Sequence, residues 1–160
     1  MKNVSRIFAA AVLTTGLGVV SASAQTQIVN YDIQAVSLIE TSGDVSLVVN
    51  GVDAIGGGLA ADTHAASTYA ITNNDGAKKV QAALDVAMPA GVTLALAMAA
   101  PSGATSSGAV ELTAVGQDLV TGVGAVDEAG LTMTYELGAT VAAGVISGTR
   151  TVTLTVVAGA

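Results

Sequence analysis

The chain has no cysteine, no tryptophan, one phenylalanine and two prolines, and only five of its 160 residues are Lys or Arg. Each shortage removes a class of protein. Without cysteine there is no disulfide framework, zinc knuckle, haem attachment, thiol nucleophile or lipoprotein anchor. Five cations against twelve carboxylates give a net charge of -7, and such a surface repels a phosphate backbone, so no nucleic-acid partner is expected. Charged residues make up 11% of the chain and hydrophobic ones 51%, the reverse of the composition that keeps a chain disordered. The shortage of aromatics bears on packing. A core of Val, Leu, Ile and Ala buries less area per residue than one with aromatics, at ~25 cal/mol per Å² of apolar surface. With no disulfide to compensate, such a domain gains from burying more surface by association.

What is present begins with a leader. Lys2 and Arg6 precede an apolar run from Ile7 to Val20, and Ser21-Ala22-Ser23-Ala24 follows with small residues where a signal peptidase needs them. The pattern predicts a secretory signal peptide over residues 1–24, cut ahead of Gln25. Its apolar run is shorter than the ~20 residues of a membrane helix, and later apolar runs are broken by Asp, Glu, Ser, Thr or Gly, so no membrane span is expected after cleavage. The mature chain is then secreted to the extracellular surface, by way of a periplasm if the host has an outer membrane. It keeps three cations, Lys78, Lys79 and Arg150, and has no Phe. The expected organisation is an N-terminal extension over 25–35 and a single domain over 36–160.

Period-two alternation dominates that domain. Val152, Leu154 and Val156 alternate with Thr151, Thr153 and Thr155; Leu131, Met133, Tyr135 and Leu137 alternate with Thr132, Thr134 and Glu136. Val92 to Met98 behaves alike, and shorter strands are expected at Val45 to Val49, Tyr69 to Ile71 and Val110 to Leu112. In Ala77 to Met88 the residues Val80, Ala83, Leu84 and Ala87 suit a helix face, while Val80, Ala82, Leu84 and Val86 suit a strand; the alternation favours the strand. Asn74-Asp75-Gly76 predicts a hairpin between Tyr69–Thr72 and Lys79–Val86. Ser42-Gly43, Asn50-Gly51, Pro89-Ala90-Gly91 and Pro101-Ser102-Gly103 are further turns, 51–66 reads as a loop and 139–148 as an irregular link. The fold class expected is all-β, an antiparallel Ig-like or pilin-like β-sandwich of about 7–9 strands with an extended N-terminal strand.

At the front, Val29, Tyr31, Ile33 and Ala35 form an apolar row against Asn30, Asp32 and Gln34. Past Ala35 the apolar set becomes Val36 and Leu38, a change of phase that turns the opposite face inward and predicts a bend, bulge or strand boundary there.

Catalytic patterns are sparse. His64 is the sole histidine, two residues from Asp62 in a small-residue stretch, with no nucleophile elbow anywhere. It reads as a solvated loop residue. Asn73-Asn74-Asp75-Gly76 is the nearest approach to a calcium loop and is better explained as a turn. Gly122-Val123-Gly124 lacks the third glycine of a phosphate cradle and reads as loop flexibility. Lys78-Lys79 is two charges on a strand, too few for a patch. No enzyme, cofactor or metal is expected.

The leading segment Gln27 to Glu40 and the close of the chain carry a resemblance. Tyr135-Glu136-Leu137-Gly138-Ala139-Thr140, then Ala142-Ala143-Gly144, then Arg150 to Val157 resembles the C-terminal part of bacterial surface-fibre subunits of the pilin type. Those run from a Tyr-bearing strand through an Ala/Gly link to a Thr/Val-rich final strand. The chain differs from chaperone-assembled pilins in lacking a disulfide and a penultimate Tyr. The resemblance implies a homo-polymer in which an N-terminal extension completes a neighbour's sandwich, with Val29, Tyr31, Ile33 and Ala35 as the donated row. Two alternatives stay open. The same segment could fold back as the first strand of its own sandwich, or the protein could be a monomeric binding module that holds a cell-surface or matrix partner on loops 51–66 and 102–108.

Overall fold

β-Branched alternation favours strand where one face can be buried, and the computed structural model, which describes residues 25–159, holds nine strands among them. The expected signal peptide, 1–24, lies outside the described residues. In chain order the strands are β1 (Ser37–Thr41), β2 (Asp62–Asn73), β3 (Lys78–Leu84), β4 (Val92–Met98), β5 (Thr105–Ser106), β6 (Val110–Glu111), β7 (Gln117–Val123), β8 (Val126–Ala139) and β9 (Val152–Ala158). A single 3₁₀ turn, Val141–Ala143, interrupts the link before β9. No α-helix occurs among the described residues. The segment open to both readings is therefore strand: Val80, Ala82 and Leu84 of β3 are buried while Lys79, Gln81 and Ala83 are half-buried.

The strands form two sheets, one ordered β1-β2-β8-β4-β6 and the other β5-β7-β3-β9, with every pairing antiparallel. One is curled into a half-barrel. Their inner rows meet in one core, Tyr69, Ile71, Leu96, Met98 and Met133 from the first sheet against Val80, Ala82, Leu119, Val120 and Val123 from the second. All-β architecture is thus observed, and Tyr69 and Tyr135 point into the core as the largest apolar groups available.

Several expectations need correction. Asn74-Asp75-Gly76 does make a turn, with Gly76 at φ +65°, but no hairpin: β2 is already flanked by β1 and β8, so the chain leaves that sheet and β3 pairs with β7 and β9. Turn chemistry fixes the local reversal and is silent about which sheet receives the next strand. Asn73, buried at this corner, donates from Nδ2 to the carbonyls of Gly76 (2.9 Å) and Gly124 (2.8 Å). Its Oδ1 accepts from the Asp75 amide (3.2 Å) and the Ser37 hydroxyl (2.6 Å). One side chain therefore ties together the β2–β3 and β7–β8 crossings between the sheets and the start of β1.

The expected strand at Val45 to Val49 is irregular, although exposure still alternates along it and Val45 and Leu47 pack against the core. The expected loop over 51–66 is shorter, because β2 begins at Asp62. His64 accordingly sits in a strand opposite Tyr135. Gly122 is also in a strand: at φ +71° it lies in a bulge where β7 has one residue more than β3 between Val120 and Val123. The apolar phase on β1 is also reversed. Leu38 is 52% exposed and Ile39 packs on the core, because an edge strand covered on one face only can carry an apolar residue outward.

Candidate assembly site

The candidate residues lie where the chain enters the domain. The chain divides into two compact units, 1–32 and 33–160. In the first unit, Gln25 to Asp32 adopts no helix or strand, and Val29 and Tyr31 are 74% and 86% exposed. In the second, Ile33 is 78% exposed and Ala35 is exposed too. Those four residues are brought to no common pocket; each presents its side chain to solvent.

The backbone at Gln34–Val36 is held by Asn74. Its Nδ2 donates to the Gln34 carbonyl (3.0 Å) and its Oδ1 accepts from the Val36 amide (2.6 Å), while its own amide donates to the Val36 carbonyl (3.0 Å). From there the chain runs along β2 as β1, Ser37 opposite Asn73 and Thr41 opposite Tyr69.

A second feature lies between the outermost strands. β1 pairs with β2 alone and β9 with β3 alone among the described residues, so each ends its sheet. The inward residues Ile39, Val152, Leu154 and Val156 are only half-buried, whereas Val80 and Ala82 on inner strand β3 are fully buried. Ile39, Thr41, Tyr135, Val152 and Leu154 line a hollow of about 280 Å³. It adjoins a cleft of about 670 Å³ floored by Leu94, Met133, Tyr135 and Leu137, with Val45 and Leu47 on one wall and Gly148 to Val152 on the other. Arg150 on that wall donates to the carbonyls of Thr149 (2.7 Å) and Ala87 (3.3 Å).

Comparison with models of known families, with curated proteins and with solved structures gives no match. The site therefore has to be read from its own chemistry.

The cleft has an apolar floor and a largely polar rim that includes Ser42, Asp44, Thr149 and Arg150, and the interactions around it are structural. Burial, followed by the nearby Glu128 charge, pushes the Tyr69 phenol up to about 12, and its hydroxyl donates to the Ala99 carbonyl. Burial raises Tyr135 as well. The Gln81 amide (2.6 Å) and the Lys79 ammonium (3.0 Å) hold the Asp118 carboxyl below the usual carboxylate range. Lys79 is thereby bound to a neighbouring strand of its own sheet, and Lys78 to Asp75 at 2.8 Å. Asp62, the neighbour of His64, accepts instead from the Val48 amide at 2.6 Å. Sequence reasoning missed Asn73 and Asn74 as the residues that fix the entry of the chain, although both stand in the turn it singled out. It also missed the β1–β9 cleft, because position within a sheet leaves no mark on a strand's own alternation.

Proposed function

We propose that the protein is a structural subunit of an extracellular surface fibre or matrix, secreted with loss of residues 1–24 and polymerised head-to-tail by β-strand addition. Its two sheets are then a pilin-type sandwich, and Gln27 to Ala35 is the donated strand. The observation that carries this reading is the alternating row Val29, Tyr31 and Ile33, exposed by about three quarters or more in a chain otherwise poor in aromatics. An exposed apolar segment in a chain that also has free sheet edges is an aggregation liability unless it has an ordered destination. Strand addition supplies one, satisfying the backbone through ladder hydrogen bonds and burying the row. Head-to-tail donation does not close on itself, so the product is a filament.

Replacing Val29 and Ile33 together by Ser tests the proposal. The variant keeps its fold and sediments as a monomer where the unaltered chain forms long polymers; polymerisation of the variant at the unaltered rate refutes the donated row. A second reading, a monomeric binding module, draws on the loop between β1 and β2, where Val52 and Ile55 are exposed. It takes over if the unaltered chain remains monomeric while binding a cell surface through that loop.

A further inference from the structure

We infer that the seam between β1 and β9 is the acceptor for the donated strand of a second copy, with Tyr31 of that copy seated in the 670 Å³ cleft. This rests on the strand-donation reading and adds where the strand goes. The backbone argument starts from the ladder. Thr151 accepts from the Asp85 amide at 3.0 Å and Gly159 donates to the Ala77 carbonyl at 3.0 Å, so the odd-numbered residues of β9 are bonded to β3. Antiparallel geometry then turns the amides and carbonyls of Val152, Leu154 and Val156 toward the seam. On β1, Val36 and Ser42 bond across to Asn74 and Thr68, which turns Ser37, Ile39 and Thr41 the same way. Both edges are thus templates for one more strand.

Length and shape select the occupant. The seven residues of β9 offer about 23 Å of edge at ~3.3 Å per residue, and the nine residues of Gln27 to Ala35 are long enough to cover it. Tyr31 is the largest side chain of that segment, and the floor of Leu94, Met133 and Leu137 suits its ring. Within one copy, the point where the chain enters the domain and the mouth of the cleft lie at opposite ends of β1. Asn74 fixes Gln34–Val36 at the N-terminal end of β1, whereas the cleft opens at Thr41 and beyond, at the other end.

The seam must widen to admit a strand. The backbones of β1 and β9 approach within 8 Å of each other, while a strand bonded to both edges needs about 9.6 Å, twice the ladder spacing. Tyr31 therefore enters first at the wide end, and the seam opens from there.

The absence of native cysteine makes the test direct. Full-length mature chains carrying Asn30→Cys are mixed with chains carrying Thr153→Cys, on exposed positions of the donated segment and of β9, under mild oxidation, with filament formation followed by sedimentation. Chains carrying Glu111→Cys on β6, the far edge of the first sheet, serve as the comparison. The inference expects an intermolecular disulfide to position 153 in filaments, its loss when Tyr31→Ser is added to the donor, and its return with Tyr31→Phe. Filaments that cross-link to position 111 equally or preferentially, or to neither position, overturn the acceptor site and leave strand donation standing. If none of the mixtures polymerises, strand donation fails and the acceptor fails with it.

Discussion

Asn73 is the residue on which most of the local geometry converges. It is 2% exposed, and its amide spans two carbonyls and two donors from three different parts of the chain. Asn73→Ala takes that donor from the carbonyls of Gly76 and Gly124, both on exposed residues that water can reach, so the loss is the net value of about 0.5–1.5 kcal/mol for each hydrogen bond. Chemical denaturation should show a loss of that order, and Asn74→Ala, at an exposed position, should cost less. Tyr69 supplies a pH signature. Its phenol is held near 12 in the folded state against 10.0 for the free side chain, so the folded protein binds that proton more tightly than the unfolded chain. Its contribution is complete below pH 10 and is lost as pH rises from 10 towards 12. Thermal melting across that window should fall steeply, and Tyr69→Phe should flatten the fall; an unchanged slope would mean that the phenol is not buried as described. Asp118 acts at the other end. Its lowered carboxyl favours the folded state above the ordinary carboxylate range and ceases to do so as pH falls through it.

At the level of elements, the strands with a fully covered face were legible. β3, β4 and β8 follow the alternation of their inward residues almost to the residue, because a sheet face buried against a core tolerates no slip of register. Edges were not. Leu38 turns outward, Val45 to Val49 keeps alternating exposure without a ladder, and His64 falls in a strand, since a partner's position in space decides each of these. The turn at Gly76 was legible as a turn, and its role as a crossing between sheets was not. The candidate row was visible in sequence as alternation, whereas the acceptor seam needs the sheet order. One consequence belongs at this scale. Because the side chains up to Ala35 are exposed, a chain beginning at Val36 should melt within a few degrees of the longer chain when both are monomeric, the range expected of surface changes. A large drop would show that the segment packs on its own domain.

For the whole molecule, the proposed loss of residues 1–24 leaves twelve carboxylates against three cations, a charge that would hold copies of the chain apart at low ionic strength. Association by strand addition should therefore quicken as salt screens that repulsion. Export leaves its own mark: mass spectrometry of the protein recovered outside the cell should find Gln25 as the first residue, and a species retaining Met1 would contradict secretion through the leader. The most direct test of the central proposal is electron microscopy of two purified chains at equal, high concentration, one beginning at Gln25 and one at Val36. Strand donation predicts filaments from the first and dispersed monomers from the second. Dispersed monomers from both, or filaments from both, would contradict it.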